Sequence, residues 1–162
     1  MHLALGRHHS DLRTRALGMG ALGLPDQLLA QGADLVELDG PGGPIPVPVC
    51  VRASDEASVE TALAGGADLV HLLRPTSRSL DLCAAADVAV VVPAGAAEAA
   101  AAAGLPTERI VVGSLIVDVT GDDCPVAATA VGVIRGARIV RATDVIGARR
   151  ICDVLAAVLE AR

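Results

Sequence analysis

Gln31-Gly32-Ala33-Asp34-Leu35-Val36 recurs as Gly65-Gly66-Ala67-Asp68-Leu69-Val70, and a third echo is Arg135-Gly136-Ala137-Arg138-Ile139-Val140. In each copy an Ala-rich, charge-bearing stretch ends at glycine, the chain turns, and a β-branched run begins. That is the junction of a helix with a buried parallel strand. Reuse of one helix-to-strand turn accounts for the echoes, with gene duplication as the alternative.

Working outward from these turns, strand-like runs fall at Asp34 to Leu38, Val47 to Val51, Leu69 to Leu73, Val88 to Val92, Ile110 to Val112 and Arg138 to Arg141. Stretches with helical spacing fall at Pro25 to Ala30, Asp55 to Ala64, Leu80 to Ala86, Ala96 to Ala103, Val126 to Arg135 and Ile146 to Ala161. The alternation predicts βα units on a parallel sheet. Ser54 or Asp55 can cap the helix after Val51, with Glu56 in its first turn. Gly104 and Pro106 stop the Ala-run helix. Leu3 to Leu5 supplies a further strand, and Gly6 to Leu24 reads as irregular because of Gly18, Gly20 and Gly23.

Seven strands are thus countable, or eight if Leu115 to Val119 separates from Ile110 to Val112. The expected fold is a shortened TIM-like (β/α) barrel of seven to eight parallel strands in a single domain, residues 1–162, with 1–24 an irregular N-terminal segment. A complete barrel of this type takes about 250 residues, so 162 residues imply that at least one βα unit is trimmed. The weakest stretch is Val112 to Pro125, where strand-like sequence continues without a helix. Trimming leaves an apolar edge or flank that another subunit could cover, whether the barrel is closed or open.

Composition removes several functions. There is no Phe, Tyr or Trp, so packing rests on Val, Ile, Leu and Ala. There is no Lys or Asn, and all 13 basic residues are Arg. Lysine Schiff-base, P-loop-lysine and lysine-base chemistry are therefore out. Without aromatic stacking platforms, and with a net charge of -6, nucleic-acid binding is not expected. No run is apolar enough to span a membrane. Cys50, Cys83, Cys124 and Cys152 form no Cys-x-x-Cys pair. Together with the lack of a signal peptide, this suits a reduced cytoplasmic chain with buried thiols better than a zinc site.

The stretch Thr129 to Val145 resembles the last helix-strand unit of the dihydropteroate synthases. Its Gly136-Ala137 turn and Arg141-Ala142-Thr143-Asp144-Val145 close are similar to that family's Gly-Ala turn and Arg-Val-His-Asp-Val close. Gly32 to Glu37 resembles the family's Gly-Ala-Asp-Ile-Ile-Asp. Val47 to Val51 resembles the strand carrying its Asp-Thr. Gly66 to Leu72 resembles the strand ending in Asn-Asp, and Gly104 to Val112 the segment before its Asp-Pro-Gly. The resemblance covers most of residues 25–162 and implies a pterin-binding barrel fold with a folate-related ancestry.

Measured against that resemblance, most of the chemistry is gone. Arg52 stands for the pterin-contacting Asp, His71-Leu72 for Asn-Asp, Gly113-Ser114-Leu115 for Asp-Pro-Gly, and Thr143 for the closing His. The Ser-Arg-Lys strand has no counterpart. Glu37 is a conservative change, and only Arg141 and Asp144 remain. An Arg donor in place of a carboxylate acceptor leaves pterin donors unpaired, at about 1–3 kcal/mol for each lost partner. No synthase activity is expected, no catalytic residue is assigned, and no cofactor or metal is called for. Were the chain active, the resemblance implies a dihydropteroate-synthase-like transferase.

Ligands of such barrels sit at the carboxyl ends of the strands. Polar residues expected there are Arg7, His8, His9 and Asp11; Glu37 and Asp39; Arg52 and Asp55; His71 and Arg74; and Arg141, Thr143 and Asp144. The candidate ligand set is Arg52, Arg74, Arg141, Asp144, Glu37 and His71. The three arginines either converge on a small anion, such as a phosphate ester, or pair with Glu37, Asp39, Asp55 and Asp144 as a rim network, which is favoured. His8-His9 beside Asp11 reads as loop histidines before a metal site. Asp122-Asp123 reads as a capping turn before a divalent-ion site.

Three functions stay open. One is a non-catalytic binding or regulatory subunit of the synthase type, inactive by itself, with a synthase-like protein partner. The second is a small enzyme or binder for an anionic, phosphate-bearing metabolite. The third is an oligomeric structural protein without ligand. A homodimer or larger assembly is expected.

Overall fold

The structure, a computed structural model, describes residues 2–5, 8–12, 15–40 and 45–161. In chain order the elements are β1 (His2–Leu5), β2 (His8–Asp11), β3 (Leu17–Gly20), α1 (Pro25–Ala30), β4 (Leu35–Leu38), β5 (Val49–Ala53), α2 (Glu56–Ala64), β6 (Leu69–Leu72), α3 (Ser77–Ala85), β7 (Ala89–Val92), α4 (Ala97–Ala102), β8 (Ile110–Val112), β9 (Ile116–Asp118), α5 (Pro125–Ile134), β10 (Ile139–Ala142) and α6 (Val145–Glu160). They gather into two compact units. The first comprises Met1–Ser10 and Glu37–Gly113, the second Asp11–Val36 and Ser114–Arg162.

In the first unit β5, β6, β7 and β8 are neighbours in that order, every pair parallel. Cys50 lies opposite Leu69, Leu69 opposite Ala89, and Val90 opposite Ile110. Strands covered on both faces need apolar side chains at every position, and Ala89-Val90-Val91-Val92 meets this with all four residues buried. Val59 and Ala62 of α2, Leu80 and Cys83 of α3, and Ala100 of α4 pack the helices down. In the second unit β9, β10, β3 and the start of β4 are parallel neighbours. There Val133, Val140, Ala142, Ala148 and Cys152 form a shared core. The fold is the expected α/β, TIM-like class, with eight parallel strands.

The helix-to-strand turn works as the repeat suggests. Gly32, Gly66, Gly104 and Gly136 all have positive φ, between +76° and +107°. Each glycine N–H donates to a carbonyl in the last helical turn, and so does that of the following residue, as Gly66 does to Leu63 and Ala67 to Ala62. A fifth turn of the same pattern uses Asp87, at φ 56°, whose carboxylate pairs with Arg109 at 2.7 Å.

Two expectations are corrected. The segment up to Leu24, expected to be irregular, contains three strands among its described residues. The strand expected at Leu3 to Leu5 is real, but it belongs to a separate two-stranded sheet with β2. The strand that joins the parallel array is β3, Leu-Gly-Met-Gly, buried at all four positions. Its glycines exist for close packing and not for a loop. A Cβ on Gly20 would lie 3.0 Å from Leu28, and one on Gly18 would lie 3.1 Å from Arg149.

The shortening is visible in the connections. β8 reaches β9 through a single 3-10 turn, Gly113–Leu115, so the run from Ile110 to Val119 does divide into two strands. Between β4 and β5 no helix occurs among the described residues. Among the described residues no helix is long and apolar enough to cross a membrane.

Candidate strand-end site

At the carboxyl ends of β5 and β6 the chain enters two helices through matched capping boxes. Asp55 accepts the Ser58 N–H at 2.8 Å, and the Ser58 hydroxyl accepts the Asp55 N–H at 3.1 Å. Thr76 and Ser79 do the same for α3, at 3.1 and 2.8 Å. Glu56 ties the two helix starts together. It accepts the Thr76 hydroxyl at 3.1 Å and pairs with Arg78 at 3.5 Å.

Between these helix starts lies a cavity of about 540 Å³, lined by Ala53, Ser54, Asp55, Glu56, Arg74 and Thr76, among others. The backbone and hydroxyl of Ser58 hold the Asp55 carboxyl below the usual carboxylate range, against a small opposing effect of burial. Ser54 and Arg74 add to this. The cavity therefore presents a firm carboxylate, a guanidinium and hydroxyls over an apolar floor.

Arg52 of β5 and His71 of β6 are register partners in the same unit. Arg52 is exposed and His71 half-buried. Glu37, on β4, is 5% exposed.

In the second unit Arg141 is also 5% exposed. Its Nη1 donates to Asp118 Oδ2 at 2.9 Å and to Thr120 Oγ1 at 3.0 Å. Thr120 in turn donates its N–H and hydroxyl to Asp118 Oδ1, at 3.0 and 2.8 Å. Burial works to raise the Asp118 pKa, yet Thr120 and Arg141 hold it below the usual range. Asp144, three residues beyond Arg141, has a separate task, capping α6 by accepting the Gly147 N–H at 3.0 Å.

The set read from sequence is therefore brought together only in part. Arg52 and His71 sit side by side, and Arg74 lines the cavity. Arg141 and Asp144 share the end of β10 but serve different elements. Asp118 and Thr120 were missed, because their stretch had no helix to mark where one strand ends and the next begins. Thr76 was missed as a cap because its partner is Ser79 and not an acidic residue.

Other expectations resolve locally. Asp122 accepts the Cys124 N–H at 2.8 Å, inside the turn before α5. His8 and His9 lie on β2, and Arg7 lies outside the described residues. Cys50, Cys83 and Cys152 are buried, whereas Cys124, placed by that turn at the start of α5, is exposed.

No family model matches the sequence, and no curated protein does. Solved structures of dihydropteroate synthases do match in fold. The enzyme from Thermus thermophilus, in complex with 6HMPPP, is 21% identical with a TM-score of 0.78, covering 99% of each chain. That from Burkholderia cenocepacia is 21% identical with a TM-score of 0.81, covering 99% of this chain and 97% of that one. That from Yersinia pestis, with a pterine-sulfa conjugate, is 17% identical with a TM-score of 0.80, covering 99% of this chain and 100% of that one. The backbone is thus a dihydropteroate-synthase-like fold.

Proposed function

We propose that this chain is a non-catalytic protein of the dihydropteroate-synthase type, acting as a binding or regulatory subunit beside a synthase-like partner in a reducing cytoplasm. The observation that carries this reading is the register pair Arg52–His71 at the ends of β5 and β6. The resemblance calls for carboxylate and amide groups there. A pterin ring offers donors at that edge, and a guanidinium has none of the acceptors they need. The chain also has no lysine to take the place of the one the synthases carry in their Ser-Arg-Lys strand.

The test is to incubate the purified protein with a pterin pyrophosphate and 4-aminobenzoate, the latter being a ligand of the Thermus enzyme in another of its structures. No condensation product is expected. Formation of dihydropteroate at a rate that depends on the protein would end the proposal. Addition to the active synthase of the same cell is expected to change that enzyme's rate.

A second reading, a binder of anionic metabolites, draws on the cavity beside Arg74. It is weakened by Asp55 and Glu56 in the same wall. Titration with inorganic phosphate, with Arg74→Ala as the control, separates it from the first; equal weak binding by both proteins removes it.

A further inference from the structure

The cavity between the starts of α2 and α3 lies in the helix layer, away from the sheet face that carries Arg52 and His71. Side chains alternate across a strand, and the register pair after Arg52–His71 is Ala53–Leu72. Both are buried, and with Val59 of α2 they form the cavity floor. The walls are braced at two levels. Leu73 donates its N–H to the Ala53 carbonyl at 2.9 Å, and the Thr76 hydroxyl reaches Glu56 at 3.1 Å. A braced cavity of this size, apolar below with a few polar groups above, suits a small organic ligand.

The charged groups over that floor are not equally engaged. Glu56 has one oxygen on the Thr76 hydroxyl and the other on Arg78. Asp55 Oδ1 takes the Ser58 N–H, but Oδ2 has only the Ser54 hydroxyl, at a long 3.4 Å. Arg74 lines the same cavity and makes no hydrogen bond or ion pair among the described residues. One carboxylate oxygen and one guanidinium are thus left over. A plain anion meets Arg74 but also the Asp55 and Glu56 carboxylates, and a plain cation meets Arg74 as a like charge. A molecule with both charges and an aliphatic body matches every surface. Its ammonium donates to Asp55 Oδ2, its carboxylate accepts from the Arg74 fork, and its hydrocarbon covers Ala53, Val59 and Leu72.

We propose that the cavity between α2 and α3 binds a free aliphatic α-amino acid. The site is separate from the Arg52–His71 pair, so the outcome of the condensation assay does not bear on it. Isothermal titration calorimetry of the full chain with leucine, at up to about 10 mM, tests it. Leucine should bind. Isocaproate, which lacks the ammonium group, and isoamylamine, which lacks the carboxylate, should each bind about tenfold more weakly or less. Arg74→Gln should weaken leucine by a similar factor without weakening isoamylamine. Asp55→Asn, which keeps a capping side chain, should weaken leucine without weakening isocaproate. Both positions are exposed, and unchanged far-UV circular dichroism shows that the variants fold. Absence of leucine binding would overturn the proposal. So would an affinity for leucine no higher than for either analogue, or one that neither substitution lowers.

Discussion

Asp68 holds Val49 twice: its backbone N–H donates to the Val49 carbonyl at 2.9 Å, and its carboxylate accepts the Val49 N–H at 3.0 Å. Asp34 does the same to Gly18, at 2.9 and 2.8 Å. The Gly-Ala-Asp echo is therefore more than a turn. The glycine lets the chain reverse, and the aspartate then fastens the incoming strand to the first residues of its parallel neighbour. In the third echo Arg138 keeps the backbone half of the contact, donating to Leu115 at 2.7 Å, but brings no carboxylate.

Asp68 is 7% exposed, so removing its carboxylate strands a buried N–H. Asp68→Ala should cost about 1–3 kcal/mol of stability. Asp68→Asn, which keeps an acceptor oxygen, should lose less. Urea midpoints of the three proteins check this; a value for Ala equal to that of wild type would mean that the carboxylate contact contributes nothing.

The left-handed turns offer a test in which contacts with other parts of the chain play no part. A Cβ on Gly66 would meet nothing within 4 Å, so Gly66→Ala changes only the backbone preference. A loss of about 1–2 kcal/mol is expected. Gly95→Ala, equally open and without positive φ, should be near neutral in the same thermal melts.

Burial pushes the Cys83 and Cys152 thiols up from 9.0 to about 11. A raised folded-state pKa contributes stability that is whole below the unfolded value and fades as pH rises through the folded one. Alkaline unfolding should therefore set in between pH 9.0 and about 11, and replacing both cysteines with Ala should flatten that limb of the stability profile. With a thiol reagent at neutral pH one group, Cys124, should react quickly and the other three only on unfolding.

Asp118 works in the opposite sense. Its depressed pKa gives stability that is present above the unfolded carboxylate value, about 3.9, and lost as pH falls through the lower folded value. Asp118→Asn should lie below wild type at neutral pH and converge with it in acid. Arg141→Gln should cost about 1.5–3 kcal/mol, the range for hydrogen bonds to charged groups. Parallel acid profiles for wild type and Asp118→Asn would exclude the ion pair as their cause.

Much of this architecture can be read from the chain because its punctuation is local. Glycine at the turns and β-branched runs after them place the six α-helices of the described residues within a few residues. What escapes is set by partners distant in sequence. Gly18 and Gly20 look like loop until Leu28 and Arg149 are seen pressed against them. The Asp118–Arg141 contact depends on β9 pairing with β10 across 23 positions. Arg52 and His71 could be assigned to strand ends from sequence, but their side-by-side register is a property of the sheet.

An interior of aliphatic side chains alone has an optical consequence. With no indole, phenol or phenyl ring, the protein is dark in the near ultraviolet and emits no intrinsic fluorescence. Concentration has to be taken from peptide-bond absorbance. In return, any near-ultraviolet band, emission or induced dichroism seen during a titration belongs to the added chromophore, so a pterin could be followed against an empty background.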